Sequence, residues 1–291
     1  MPLDQSLVGQ ETTPETSAIA VEQIRQFADA VGDANAIFHD AAAAHAAGFP
    51  EALAPPTFVT QFRAEYAAVG LDPEKMQVLH GEQEYVYERP LHAGDTVIAR
   101  HRVATLRQSS RPGGMNVMTV EQHIEVPGEG QVCLGKATVI VREFAPDTPT
   151  SIATAKAQPE PEGERIPELT KRVTQEQINA YADVSGDHNP IHVNPAAART
   201  VGLDGTIAHG MLSMAFAAQL LTDWLANRPK PGGWVLRLRV RFQGMTQPGD
   251  TLTCRGALGT RTDNQQFVEV WIDNQRGERL TTGDADVIVP E

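Results

Sequence analysis

The chain repeats itself, and this internal repeat constrains its fold more than any other feature of the sequence. Shifting the 291-residue chain by 154 positions lays residues 21–62 on residues 175–216 without a gap, and 15 of these 42 positions are identical. Two shorter matches follow at offsets of 155 and 148. They are Gly94-Asp95-Thr96 with Gly249-Asp250-Thr251, and Gly135, Ala137, Val139, Ile140 and Val141 with Gly283, Ala285, Val287, Ile288 and Val289. Three collinear matches at nearly one offset predict a duplicated domain.

A proline-rich segment separates the two copies. Residues 146–164 hold four prolines among Ala, Thr and Glu. This composition cannot build an apolar core and is typical of an exposed, fairly stiff linker. We therefore predict a first domain at 1–145, a linker at 146–164 and a second domain at 165–291.

The second copy has the clearer pattern of secondary structure. The stretch 210–226 is apolar on almost every side, which predicts a buried helix. Apolar and basic residues alternate over 234–242, which predicts a strand with one buried face. Further strands are predicted near 251–258, 266–273 and 281–289, and the short turns between them favour antiparallel pairing. Each copy is thus predicted to be α+β, an antiparallel sheet wrapped around a central helix.

Composition excludes several classes of partner. The 24 basic residues against 37 acidic ones give a net charge of −13, which argues against nucleic acid and against anionic membranes. Two cysteines, Cys133 and Cys254, form neither a disulfide framework nor a CxxC pattern. Because neither a signal peptide nor a membrane-spanning stretch is visible, we expect a cytoplasmic protein.

The most specific motif lies early in the second copy. The segment 181–192, Tyr-Ala-Asp-Val-Ser-Gly-Asp-His-Asn-Pro-Ile-His, resembles the signature of the MaoC-like (R)-specific enoyl-thioester hydratases, a branch of the hot-dog fold. The family's downstream His-Gly-Met is present as His209-Gly210-Met211. The first copy resembles the degenerate N-terminal half of fused hydratases through its stretches 27–35 and 54–58.

The resemblance implies a double hot-dog fold, in which two tandem hot-dog domains pair as an intramolecular pseudo-dimer. It also implies a hydro-lyase of fatty acid metabolism, either an enoyl-CoA hydratase 2 or a 3-hydroxyacyl-thioester dehydratase. Such an enzyme interconverts trans-2-enoyl and (R)-3-hydroxyacyl thioesters without a metal or redox cofactor. Coenzyme A or an acyl carrier protein would be part of the substrate, and further homodimerisation of the fused pair stays open.

The chemistry of water addition gives an independent reason for these residue types. A carboxylate and an imidazole can hold one water between them and exchange protons with it near neutral pH, and Asp187 and His192 are the candidates. Asn189 would support the turn between them. Gly210 is predicted to start the buried helix, where its backbone N–H can donate to the thioester oxygen.

The first copy lacks two of these groups. Phe38 stands where the second copy has its histidine, and His39 is one position out of register. Pro56 stands where Gly210 would donate, and proline has no backbone N–H. We therefore predict that the first copy does not catalyse and instead completes a pocket for the acyl chain.

Other residues are weaker candidates. Phe38 would line the acyl pocket, and Arg237, Arg239 and Arg241 share a strand face that would bind the phosphates of coenzyme A or an acidic carrier protein. The alternative for these arginines is an ordinary solvated face. His188 and His192 are four residues apart, but Pro190 disfavours the helix that a metal pair would need, so no metal is expected.

Two other functions remain open on the same fold. A hot-dog acyl-thioesterase would release the free thiol of the carrier, because fold does not fix function. A non-catalytic module would bind acyl thioesters without turning them over.

Overall fold

A computed structural model describes residues 4–72, 76–108, 115–143 and 159–290. Within these ranges the chain forms one antiparallel sheet of ten strands. The strands are β1 (Glu15–Ala18), β2 (Met76–Tyr87), β3 (Thr96–Gln108), β4 (Asn116–Val126), β5 (Gly130–Glu143), β6 (Arg165–Arg172), β7 (Trp234–Phe242), β8 (Thr251–Thr262), β9 (Gln265–Asn274) and β10 (Arg279–Ile288). The α-helices are α1 (Val21–Val31), α2 (Ala36–His39), α3 (Ala41–Ala46), α4 (Gln175–Ser185), α5 (Pro190–Val193), α6 (Pro195–Thr200) and α7 (Gly210–Ala226).

The order of the strands shows the duplication. Read from its outer edge to the junction, the first half runs β1-β3-β4-β5-β2 and the second half runs β6-β8-β9-β10-β7. Corresponding strands therefore follow the same order, and the two halves are related as a pseudo-dimer. The halves meet where β2 pairs with β7, with Tyr85 opposite Leu238. The strands predicted near 251–258, 266–273 and 281–289 are confirmed as β8, β9 and β10.

Helix α7 fills the core of the second half, as its apolar sequence predicts. Thirteen of its 17 residues are buried, and it packs on β6, β7 and β8. Phe216 and Leu212 are fully enclosed. Because a helix that is apolar on all sides must be covered on all sides, the sheet curves around it.

The first half departs from the expectation of a central helix. Between residues 55 and 72, all of them described, the chain forms only two short 3₁₀ helices, Phe58–Phe62 and Tyr66–Val69. A long helix here would have to bury Gln61, Arg63 and Glu65, which is costly without partners. The inner face of the first half's sheet is therefore covered only in part.

The linker prediction is only partly addressed by the described residues. Strand β5 ends at Glu143 and β6 begins at Arg165, but residues 144–158 lie outside the described ranges, so the domain boundaries stay predictions. Both cysteines are buried free thiols. Over the described part of the chain, no helix has the length and apolar character that crossing a membrane requires.

The register between β7 and β10, next to the junction of the halves, can be tested with a substitution that adds a single methyl group. A Cβ at Gly283 of β10 would lie 2.2 Å from the backbone oxygen of Arg239 in β7. We expect Gly283→Ala to lower the free energy of unfolding by about 1–3 kcal/mol, because the strands must separate to accept the methyl group. Denaturant unfolding would measure it. Gly205→Ala is the control, since nothing lies within 4 Å of a Cβ there, and equal losses in both variants would contradict the register.

Candidate active site

Two tight local structures bring Asp187 and His192 together. Helix α4 ends at Gly186, whose positive φ of 69° turns the chain sharply and is accessible to glycine at little cost. Asn189 then caps α5, since its Oδ1 accepts the N–H of Ile191 at 3.3 Å. As a result, a carboxylate oxygen of Asp187 and a ring nitrogen of His192 lie within 4.8 Å of each other.

Hydrogen bonds fix the tautomer and orientation of His192. Its Nδ1 lies 2.8 Å from the backbone oxygen of Ile207, which can only accept, so Nδ1 carries the proton and Nε2 keeps its lone pair. The amide of Gln175 donates to the backbone oxygen of His192 at 2.8 Å, which ties α5 to α4. Burial lowers the pKa of His192 more than Asp187 raises it, so the ring is neutral at neutral pH.

The Asp187 carboxylate is held in its charged form. Its Oδ1 accepts the N–H of Asn189 at 3.3 Å and lies 3.1 Å from Nη1 of Arg63, a residue of the first half. Burial alone would raise the pKa of Asp187, but Arg63, followed by His192 and His209, lowers it below its ordinary value. Arg63 was missed by the sequence analysis because no spacing signal connects residues 124 positions apart in the chain.

His209 contacts both Asp187 and His192. Its ring stacks on that of His192 with centroids 3.8 Å apart and planes 30° apart. Its Nε2 donates to the backbone oxygen of Asp187 at 2.8 Å, so its Nδ1 is unprotonated. Burial lowers the pKa of His209 to about 4, which keeps the ring neutral. No role in proton transfer was expected for His209 from the sequence, and in the structure it packs on His192 and holds the backbone of Asp187.

Gly210 is the first residue of α7, and the N–H of a first helical residue has no acceptor within its helix. A Cβ at Gly210 would lie 3.2 Å from ring atoms of Phe242, which is closer than an ordinary van der Waals contact. The absence of a side chain therefore leaves room for both the ring and a ligand oxygen beside this N–H.

The site opens into a cavity of about 260 Å³ that both halves enclose. Asp187, Asn189, His192 and Gly210 line its second-half end. The first half contributes the inner face of its sheet and the segment that replaces a central helix. Lining residues on that side include Arg63, Val69, Leu71, Val78, His101 and Val139.

Comparison with known proteins agrees with this arrangement. A family model described as MaoC like domain matches residues 156–276, and a model described as FAS1-like, dehydratase domain region, matches residues 6–132. The 3-hydroxyacyl-thioester dehydratase X of Mycobacterium tuberculosis is 30% identical over 238 residues, which span 72% of this chain and 78% of that protein. The chain belongs to the MaoC-like dehydratase family.

Other relatives and solved structures fit this membership. A UPF0336 protein of Saccharopolyspora erythraea is 35% identical over 153 residues, which span 50% of this chain and 96% of that protein. A structure described as a MaoC-like dehydratase superposes with a TM-score of 0.81 at 22% identity, covering 98% of this chain and 99% of the other. A conserved hypothetical protein of Mycobacterium tuberculosis, described as a double hotdog fold, superposes with a TM-score of 0.70 at 16% identity, covering 97% and 96%. The double hot-dog fold expected from the sequence is confirmed.

The first half of this MaoC-like chain keeps the turn but not the pairing of an aspartate with a histidine. Asn35 caps α2 as Asn189 caps α5. His39, one position out of register with His192, donates from Nε2 to the backbone oxygen of Asp33 at 2.7 Å. This is the same contact that His209 makes to Asp187, so His39 plays the packing role of His209 and leaves no imidazole in place of His192.

Phe38 does not line the cavity beside Asp187. It is 1% exposed and borders a separate cavity of about 30 Å³ near Pro55 and Pro56, roughly the volume of one water molecule. The reason is that Phe38 faces the first half's own counterpart of the site, which its ring and the prolines nearly fill. The structure therefore places Phe38 away from the cavity beside Asp187, and contact between Phe38 and an acyl chain stays a prediction.

The three arginines of β7 do not reach the cavity either. They lie on the outer face of the sheet, where each contacts carboxylates on a neighbouring strand. The contacts are Arg237 with Asp284, Asp286 and Glu84, Arg239 with Asp284, and Arg241 with Glu82. Arg237 and Arg241 thus join the two halves through Glu84 and Glu82 of β2, whereas Arg239 contacts β10 of its own half. Binding of the carrier's phosphates by this face stays a prediction.

The described residues include one group with metal-binding spacing, Asp187, His192 and His209. A metal would have to use His192 Nε2 and His209 Nδ1, since the other ring nitrogens donate to backbone oxygens. His188 is 60% exposed and lies apart from this group, near Asp183. The expectation of a metal-free site stays a prediction.

Stability should fall as the pH drops from about 6.5 to 4. Burial lowers the pKa values of His80, His101 and His209 to about 4 in the folded chain, so the unfolded chain binds more protons over this range. Asp33 and Asp223 oppose this trend, because burial raises both pKa values, that of Asp33 to about 6. Burial also lowers the pKa of His192, so four histidines act against two carboxyl groups. We expect the free energy of unfolding, measured with denaturant, to fall by about 2 kcal/mol or more. The free energy of unfolding of His101→Gln should fall less over the same pH range. A decrease as large as that of the wild type would contradict the account.

Proposed function

We propose that this chain is a hydro-lyase that interconverts trans-2-enoyl and (R)-3-hydroxyacyl thioesters, in fatty acid metabolism. The observation that carries the proposal is the convergence of a charged Asp187 and a neutral His192 on the wall of a cavity that also exposes Gly210, the first residue of α7. The similarity to the 3-hydroxyacyl-thioester dehydratase X of Mycobacterium tuberculosis supports the same reaction class.

Each group has a defined task in hydration. Asp187 and His192 Nε2 both accept hydrogen from one water, which turns its oxygen toward C3 of the enoyl chain. As the C3–O bond forms, the pair takes a proton from this water and the C2=C3 electrons move toward the thioester oxygen. The Gly210 N–H and the positive end of α7 stabilise that oxygen. The pair then returns the proton to C2, so the elements of one water are added and none is left over.

The acyl chain would lie in the first half's part of the cavity. The missing central helix leaves space there, and Val69, Leu71, Val78 and Val139 give it an apolar lining. We therefore propose that the chain accepts longer acyl groups than four carbons. Either coenzyme A or an acyl carrier protein would serve as the carrier, and no further cofactor enters this mechanism.

The reaction can be tested with matched variants of the two halves. We expect purified protein to remove the enoyl absorbance of trans-2-enoyl-CoA without releasing free thiol. Asp187→Asn and His192→Gln should each lower kcat/KM by about 10²–10⁴, because each removes a proton acceptor for the water. Asp33→Asn is the matched control in the first half, and it should stay within a few-fold of the wild type.

The alternatives give different results in the same assay. Thiol release from acyl-CoA would identify a thioesterase. Binding of enoyl-CoA with no turnover in any variant would identify a binding module. An equal loss of activity in Asp33→Asn and Asp187→Asn would contradict the assignment of catalysis to the second half.

The position of the acyl chain can be tested by filling the cavity. We expect Val139→Trp to lower kcat/KM at least about tenfold for enoyl-CoAs of eight or more carbons, and to spare the four-carbon substrate, because the larger ring occupies the proposed chain site. Thr138→Trp, on the neighbouring position of β5 and outside the cavity lining, is the control. A wild type that is most active on four carbons, or a uniform loss across chain lengths, would argue against this site.

A further inference from the structure

One charged residue of the first half, Arg63, extends into the site in the second half. Arg63 follows the 3₁₀ helix Phe58–Phe62, and its Nη1 donates to the backbone oxygen of Gly186 at 3.0 Å while lying 3.1 Å from Asp187 Oδ1. It therefore contacts both the C-terminal end of α4, where a positive charge is favourable, and the carboxylate that follows it. The Arg63 side chain is about three-quarters buried, which limits screening by solvent.

The first half is built to hold Arg63 in this place. Gln122, a buried residue of β4, donates from Nε2 to the backbone oxygens of Val59 at 3.0 Å and Phe62 at 2.8 Å. These two bonds fix the 3₁₀ helix against the sheet immediately before Arg63. A long side chain that starts from a fixed backbone loses less freedom when it forms an ion pair.

We propose that Arg63 is a positioning residue for the acid–base pair, supplied by the half that does not catalyse. The proposal rests on the function proposed above. Arg63 and the N–H of Asn189 both engage Oδ1 of Asp187. The ion pair thus holds the carboxylate charged and in one orientation.

The charges around Asp187 show what removal of Arg63 would change. The groups that face Asp187 are Arg63, His192, His209, the N–H of Asn189, His80 from β2 and Tyr181 from α4. Burial raises the pKa of Asp187, and Arg63 is the strongest influence in the opposite direction. Arg63 also lowers the pKa of His192, after the larger effect of burial. Both members of the pair should therefore protonate at higher pH once Arg63 is neutralised.

The inactive half provides a comparison within the same molecule. Lys171, a residue of the second half, donates from Nζ to the backbone oxygen of Gly32 at 2.6 Å, at the C-terminal end of α1. It thus makes the same kind of contact between halves that Arg63 makes at Gly186. However, no ion pair within 4.0 Å joins Lys171 to Asp33 in the described residues, and burial raises the pKa of Asp33 to about 6. Lys171 lowers the pKa of Asp33 only at longer range, and it is not among the charges that act on Asp187. It therefore repeats the structural contact of Arg63 without a direct ion pair to a carboxylate.

The test compares Arg63→Gln, Arg63→Lys and Lys171→Gln in the full chain. We expect the acid limb of the pH dependence of kcat/KM to move up by about one to three units in Arg63→Gln, which is the usual influence of a close opposite charge. Arg63→Lys should move it back toward the wild type, because the charge returns without the planar guanidinium. Lys171→Gln should leave the apparent pKa of the acid limb unchanged, even if it lowers the melting temperature.

A second readout does not depend on turnover. The pKa of the His192 ring, followed by NMR in the resting protein, should rise in Arg63→Gln and stay unchanged in Lys171→Gln. The proposal is overturned if Arg63→Gln leaves both the acid limb and the His192 pKa at wild-type values, or if Lys171→Gln shifts them as much. A wild type that hydrates no enoyl thioester would reject the proposed function, and the NMR titration would still decide whether Arg63 governs the pair.

Discussion

The pairing of β2 with β7 is the interaction on which the rest of this structure depends. It joins two similar half-sheets into one, and Arg237 and Arg241 of β7 form ion pairs across the junction with Glu84 and Glu82 of β2. Because the junction fixes one half against the other, the inner face of the first sheet lies opposite the helix and turn that carry Asp187 and His192. Without this pairing there would be no enclosed cavity, and Arg63 would have no carboxylate to contact.

Duplication has allowed the two halves to differ in what each contributes. The second half keeps the apolar helix α7, whose first residue faces the cavity, and keeps an imidazole in α5. The first half has neither this long helix nor an imidazole at the position of His192, and its prolines and Phe38 nearly close its own version of the site. The first half contributes one wall of the cavity, the space that a long helix would otherwise fill, and the positive charge of Arg63 beside the Asp187 carboxylate.

Local sequence patterns predicted much of this architecture. The repeat, the all-apolar stretch of α7 and the turn from Gly186 to His192 depend on neighbours in the chain, so residue spacing alone was enough to place them. Three features could not be predicted in this way. The missing helix of the first half reflects polar residues such as Arg63 finding partners in the other half, the β7 arginines are balanced by carboxylates on distant strands, and the orientation of Phe38 follows from packing around it. Each depends on contacts between residues far apart in sequence, which periodicity does not report.

The central claim is that the second half performs the chemistry while the first half holds the acyl chain. A crystal structure of the His192→Gln protein with a bound long-chain trans-2-enoyl-CoA would test it most directly. The account predicts the thioester oxygen at the Gly210 N–H, C3 beside the carboxylate of residue 187, and the hydrocarbon chain against Val78 and Val139 of the first half. A thioester seated near Pro56, or a chain that runs away from the first half's sheet, would contradict it.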